Sequence, residues 1–240
     1  MLRIMKLNAG YRNSVVVQDL SLEIGRGEVV AIIGPNGSGK STLLKSVFGL
    51  AKIFSGYIEF DGFNIQQIGV EMLPKMGLGY VPQNRNVFSS MSVLENLELG
   101  LIPLGDVHRR SSRLDSVFSL FPALFDRRKQ RTDSLSGGER QMLAIARAFI
   151  PGPKMIMLDE PTANLSPKLA SQVYTTISSM RKEGATIVLV EQNARAALAN
   201  SDRAFVLISG RKAFEGLSNE LIDNPELVRL YLGRESARSP

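Results

Sequence analysis

Gly34-Pro35-Asn36-Gly37-Ser38-Gly39-Lys40-Ser41-Thr42 is the stretch on which the reading of this chain turns. It matches G-x-x-x-x-G-K-[ST], a phosphate-binding loop that joins a strand to a helix. The neighbouring residues supply that context. Val29-Val30-Ala31-Ile32-Ile33 is a short all-apolar run, as a buried parallel strand requires. After the loop, Leu43, Leu44, Val47 and Phe48 recur at helical spacing. Glycines let backbone N–H groups approach an anion, and the helix dipole favours negative charge there. In that geometry Lys40 reaches the β- and γ-phosphates of a nucleotide and the Ser41 hydroxyl ligates Mg2+. A chance glycine turn ahead of a helix is the bland alternative, and the flanking strand and helix weigh against it.

Composition sets outer bounds. The 240 residues suffice for one large or two small domains. A hydrophobic content of 44% is that of an ordinary globular protein. No window of about 18 apolar residues is present, so no segment is expected to span a bilayer by itself. The N-terminus lacks an unbroken apolar stretch, and secretion is not expected. The absence of cysteine excludes disulfides and thiolate chemistry and is compatible with the cytosol. A formal charge of +6 suits an anionic partner without choosing among nucleotide, membrane surface and nucleic acid. The single histidine, His108, rules out a polyhistidine metal site.

Along the chain, residues 1–33 read as strands. Val15-Val16-Val17 and the alternating Leu20, Leu22 and Ile24 suit an antiparallel sheet. Tyr11 falls in a turn between two of these strands, where an aromatic ring can stack on a base or simply sit exposed. Tyr57-Ile58-Glu59-Phe60 runs into an Asp61-Gly62 turn, and Leu78-Gly79-Tyr80-Val81 is a further strand ending at Pro82-Gln83. From about Gln83 to Pro151 the texture is helical. Ser92-Val93-Leu94-Glu95 is a capping box, Leu104 to Ser112 reads as a loop, and Leu114 to Phe121 forms a helical face stopped by Pro122. Arg127-Arg128-Lys129-Gln130-Arg131 is a basic run, read as a solvated face ahead of a dedicated anion site. Residues 151–208 return to strand–helix alternation, which implies parallel pairing. The last part reads as two strands about Ser209-Gly210 and a short helix past Pro225.

Two more motifs carry chemistry. In Leu135-Ser136-Gly137-Gly138-Glu139-Arg140-Gln141, Ser136 and Glu139 form a second capping box. Yet the first helical turn holds two glycines, each costing about 0.5–1 kcal/mol against alanine in a helix interior. A closely approaching anion explains bare backbone there. Because the phosphate-binding loop already serves the chain's own nucleotide, this second site would serve a phosphate bound to another copy. Met155-Ile156-Met157-Leu158-Asp159-Glu160-Pro161 is an apolar strand ending in two carboxylates. Their side chains point oppositely, so Asp159 can hold Mg2+ while Glu160 polarises the attacking water.

The loop, Gln83 after a strand, Leu-Ser-Gly-Gly-Glu-Arg-Gln and Leu-Asp-Glu-Pro together resemble the ATP-binding cassette (ABC) ATPases over essentially the whole chain. The resemblance implies an α/β fold: a P-loop NTPase core with a parallel sheet, an N-terminal antiparallel β subdomain and an inserted helical subdomain. It implies one ABC domain over 1–240, with the core in 1–83 and 151–240 and the insert in 84–150. Tyr11 matches the aromatic that stacks on adenine, and Gln83 the glutamine that touches Mg2+ and relays contact with membrane subunits. Ser136, Gly137, Gly138 and Glu139 match the stretch that contacts the γ-phosphate across a head-to-tail dimer. Glu160 matches the catalytic base. Two positions depart from the family pattern: Gln192 stands where most members carry a histidine facing the γ-phosphate, and Ala163-Asn164-Leu165-Ser166 replaces the usual Ser-Ala-Leu-Asp.

Finer matches resemble the ATPase subunits of branched-chain amino acid importers. They include Phe121-Pro122-Ala123-Leu124, the run Gln141 to Ala148, Val190-Glu191-Gln192-Asn193-Ala194 and Asn224-Pro225-Glu226 to Tyr231-Leu232-Gly233. Urea and amide importers share much of this. The expectation is an ATPase using ATP and Mg2+ at the cytoplasmic face of a membrane. Its partners would be a second cassette chain, identical or related, and separate permease subunits, with no nucleic acid. A cassette for another solute, an exporter, and a soluble ABC-type ATPase acting on nucleic acid remain the alternatives.

Overall fold

The structure, a computed structural model, describes residues 1–84, 86–105 and 110–227. His108 and the tail Tyr231-Leu232-Gly233 lie outside the described residues. The chain divides into two compact units, residues 1–68 with 188–240 and residues 69–187.

In chain order the first unit opens with β1 (Leu2–Tyr11), β2 (Ser14–Ile24), β3 (Val29–Ile33), α1 (Lys40–Val47), β4 (Lys52–Phe60) and β5 (Phe63–Asn64). The second unit holds β6 (Leu78–Val81), α2 (Val93–Gly100), α3 (Arg110–Leu120), α4 (Pro122–Asp126), α5 (Gly137–Phe149), β7 (Met155–Asp159) and α6 (Pro167–Lys182). The unit boundary falls within β8 (Thr186–Glu191). The first unit then resumes with α7 (Ala194–Ala199), β9 (Arg203–Ile208), β10 (Arg211–Leu217), α8 (Ser218–Ile222) and α9 (Pro225–Leu227).

Within the first unit, a four-stranded sheet runs β2-β1-β4-β5, and its pairs are antiparallel. β1 buries Leu2, Ile4, Leu7 and Ala9 and exposes Arg3 and Met5, with a register shift between Ile4 and Leu7 interrupting the alternation. The same face of β4 contributes Ile58 and Phe60. β3 is buried along its whole length and pairs in parallel with β9, Ile32 opposite Phe205. β10 lies antiparallel on the other edge of β9. The all-apolar run therefore has the environment its composition requires. Helix α7 went unforeseen in the sequence. It is six residues of mostly alanine, started by the Asn193 side chain, which accepts from the Ala196 amide at 3.0 Å.

Within the second unit, β6 pairs in parallel with β7, from Leu78 opposite Met155 to Val81 opposite Leu158. Helix α5 packs against α2, α6 and both strands, and its Leu143, Ala144, Ile145 and Ala146 are buried. Two local expectations change. Pro122 does end α3, but it also opens α4 as its first residue, where its missing N–H is no loss. Arg110 to Ser112, expected in a loop, already belong to α3. The α/β class with one antiparallel sheet and parallel strand pairs is as the sequence implied.

Candidate active site

In the first unit the Gly34–Thr42 loop connects β3 to α1 as its spacing requires. Gly39 stands at the capping position of α1 with φ 99° and offers no side-chain acceptor to the helix. That φ is readily open only to glycine. Lys40 is buried at 4% exposure and turns its Nζ back along the loop, donating to the carbonyls of Gly34 at 2.7 Å and Pro35 at 3.2 Å. Pro35, Asn36 and Gly37 are exposed, and Ser41 is half-buried. The Ser38 hydroxyl is buried without a hydrogen-bond partner. A loop of amide donors with a buried hydroxyl left over fits an anionic ligand, because a buried polar atom without a partner is expensive.

Two neighbours steady this loop that sequence reading did not assign to it. Gly210, in the turn after β9, donates its amide to the Ser38 carbonyl at 3.0 Å, and its own carbonyl accepts from Gln18 on β2 at 2.8 Å. Val16 and Val17 of β2 pack beside Gly39. Ser209-Gly210 read only as a turn, since nothing in its sequence signals which loop it meets. Tyr11 ends β1 and is exposed at 41%. Gln192 follows β8 and is exposed, and Glu191 before it is buried.

In the second unit β7 ends in the acidic pair, and the two carboxylates occupy different surroundings. Asp159 is buried and lies 3.4 Å from the Tyr80 hydroxyl on β6. Glu160 is half-buried, and its Oε2 accepts from the Gln83 side-chain amide at 2.7 Å. Glu160 adopts φ 49°, a left-handed conformation unusual for a non-glycine residue. Such strain concentrates at functional positions. The structure thus brings Gln83 and Glu160 together, a pairing that the sequence motifs listed apart.

At the start of α5 both bonds of the capping box are present. The Ser136 hydroxyl accepts from the Glu139 amide at 3.3 Å, and the Ser136 amide donates to Glu139 Oε2 at 2.8 Å. Arg127 holds the other carboxylate oxygen at 2.8 Å. The Ser136 amide bond in particular keeps the Glu139 carboxyl below its ordinary value; burial opposes it, and the Ser136 side chain and the Arg127 charge add smaller lowering effects. The two glycines differ. A β-carbon on Gly138 would press into Leu169 Cδ1 of α6, whereas one on Gly137 would meet open space. Internal packing explains Gly138, and Gly137 has no such constraint. The basic run also resolves in part: Arg127 serves this helix start, Arg128 covers the Phe125 ring at 4.2 Å and Arg131 pairs with Asp133.

Residues 17–163 match the ABC transporter family. A probable branched-chain amino acid transport ATP-binding protein from Archaeoglobus fulgidus is 44% identical over 97% of this chain and 99% of its own. A high-affinity branched-chain amino acid transport ATP-binding protein from Pseudomonas aeruginosa is 40% identical over 97% and 100%. A lipopolysaccharide export system ATP-binding protein from Escherichia coli is 32% identical over 95% of each chain. Among solved structures, a nucleotide-free ATP-binding cassette from an ABC transporter superposes with a TM-score of 0.83 at 27% identity, over 96% of this chain and 98% of that one. A dimeric cassette in a post-hydrolysis state, bound to ADP and phosphate, gives 0.80 at 25% identity over 91% and 99%.

The chain belongs to the ABC transporter family of ATP-binding domains. It is an ATPase. Cassettes of this family bind ATP and ADP, form dimers and work with membrane permease subunits. Among the described residues no helix is long and apolar enough to cross a membrane.

Proposed function

We propose that the chain is the ATP-hydrolysing subunit of an importer of branched-chain or other hydrophobic amino acids, acting through separate permease subunits at the cytoplasmic face. The observation that carries this reading is the end-to-end identity of 44% and 40% to two cassettes named for branched-chain amino acid transport, against 32% to one named for lipopolysaccharide export. Gln192 supports it too, since glutamine at that position resembles the branched-chain subgroup.

In this reading the Gly34–Thr42 amides and Lys40 hold the nucleotide phosphates, and Tyr11 stacks on the adenine. Mg2+ takes hard oxygen donors and keeps waters and substrate phosphates as further ligands. The Ser41 hydroxyl, the Asp159 carboxylate and the Gln83 amide oxygen are donors of that kind, and the ion supplies charge stabilisation to the transferring phosphoryl group when bound. Glu160 orients the attacking water and accepts its proton. Gln192 donates a hydrogen bond to the γ-phosphate but cannot gain a proton near pH 7. Ser136, Gly137 and Gly138 meet the γ-phosphate held by a second cassette, identical or related, with Glu139 fixing the helix start. Core residues 1–83 and 151–240 and insert 84–150 are the division this function implies.

The test is reconstitution of the purified chain into vesicles with the permease subunits it captures, followed by uptake of labelled leucine, isoleucine and valine. ATP-dependent uptake that disappears with Glu160→Gln is the expected result. Transport of urea or extraction of lipopolysaccharide, without amino acid uptake, would replace this reading.

A further inference from the structure

Ser209 and Gly210 join β9 to β10 as a two-residue hairpin, with Arg211 standing opposite Ile208. Both turn residues take a left-handed φ, 48° and 81°, as a hairpin this short favours. Connecting turns usually run over the surface. This one is wedged into the first unit: Gly210 is buried, and its main chain meets two other segments. Its amide donates to the Ser38 carbonyl at 3.0 Å, and its carbonyl accepts from the Gln18 amide of β2 at 2.8 Å. The Arg211 guanidinium adds a bond to the Gln18 side-chain oxygen at 2.9 Å.

The turn by itself does not demand glycine at 210, because asparagine and aspartate also tolerate a left-handed φ. What forbids a side chain is β2: a β-carbon on Gly210 would run into the Val16 carbonyl oxygen. Gly34, at the start of the phosphate loop, is constrained in the same way by β9, since a β-carbon there would meet the Leu207 carbonyl oxygen. Backbone lies directly on backbone at both points. The result is felt in one peptide plane. Ser38 is held at both main-chain groups, its amide donating to the Pro35 carbonyl at 3.1 Å and its carbonyl accepting from Gly210. The Ser38–Gly39 peptide is trans, and in a planar trans peptide the C=O and the following N–H point in opposite directions. Pinning the Ser38 carbonyl to the hairpin therefore turns the Gly39 N–H the other way. Among the described residues that N–H meets no acceptor.

We propose that Gly210 is a positioning residue for nucleotide binding: its amide fixes the Ser38–Gly39 peptide plane, and that plane presents the Gly39 N–H to a phosphate of the nucleotide. The inference rests on the reading of Gly34–Thr42 as the phosphate site. Gly210 touches no phosphate itself. It acts through the Ser38 carbonyl, and it is held in place from behind by Gln18. An amide that is already aimed need not be reoriented when the nucleotide arrives, and such preorganisation shows as affinity. The amides of a phosphate-binding loop cradle the α- and β-phosphates, which ATP and ADP share, so both nucleotides depend on the brace equally.

The experiment is calorimetric titration of the full chain with ATP and with ADP. Gly210→glycolate, made by joining a synthetic C-terminal peptide to the rest of the chain, puts an ester oxygen in place of one N–H and adds no atom that could clash. Kd should rise about tenfold, the scale of one hydrogen bond to a charged group, and by the same factor for both nucleotides. Gly210→Ala, which pushes the turn off β2, should weaken both at least as much where it folds. An unchanged Kd in the folded ester, whatever its melting temperature, would overturn the proposal, because a turn that only stabilises the fold leaves affinity untouched. Lys40→Ala, titrated beside them, separates the two failures. If it binds ATP as the parent does, the phosphate reading of the loop falls; if it binds weakly while the ester binds normally, only the role of Gly210 falls.

Discussion

The Gln83 amide donates to Glu160 Oε2 over 2.7 Å, so the carboxylate that follows β7 is held by a neighbour. Gln83 thereby controls where this group points.

Replacing Glu160 with glutamine keeps the shape and removes the charge. Turnover should fall by at least about 10²-fold, the usual range for loss of a general base. ATP affinity should stay within a few-fold. Light scattering of Glu160→Gln with ATP and Mg2+ should show the mass of a dimer, and without them that of a monomer.

Lys40→Ala removes a buried ammonium bonded to two loop carbonyls. Hydrogen bonds to charged groups contribute about 1.5–3 kcal/mol. ATP binding followed by calorimetry should therefore weaken at least about tenfold. Unchanged affinity in a folded variant would remove Lys40 from the phosphate site.

The adjacent glycines of α5 should respond oppositely. Gly138→Ala drives a methyl into Leu169, and overpacking of this kind costs about 1–3 kcal/mol; its melting temperature should fall and recover with Leu169→Ala. Gly137→Ala meets open space, so its melting temperature should hold while ATP hydrolysis drops. A fully active Gly137→Ala would leave this helix start without a ligand.

Acid should reveal the Glu139 capping contact. Its folded carboxyl sits below the ordinary glutamate value, so its stabilisation is complete above about pH 4.3 and disappears as pH falls through the folded value. Glu139→Gln should melt below the parent at pH 7, and the gap should narrow as the pH drops under about 4. A gap independent of pH would mean that the charge contributes nothing to the helix start.

Much of this was legible in the residues. The strand, loop and α1 followed from Val29–Ile33, the glycine pattern and Leu43-Leu44, because each uses local rules of period and dihedral. Both capping boxes formed as the S-x-x-E spacing implied. What stayed hidden depends on residues far apart in the chain. Nothing local to Gly210 says that it supports Ser38, nothing in Arg127 points to Glu139, and Arg147 with Asn86 is a pair 61 positions apart. Pro122 shows a different limit, since the residue that breaks one helix is equally suited to begin the next.

Gly39 begins α1 without a side chain to receive the helix's first amides. Most helices carry that acceptor within their own sequence. Here it would arrive with the substrate, which makes the nucleotide a detachable piece of the architecture as well as its fuel. The cassette's resistance to unfolding should then follow the ATP concentration around it, rising by about 2.7 kcal/mol at a hundredfold excess over Kd. A starved cell would lose the transporter's power and the sturdiness of its motor together.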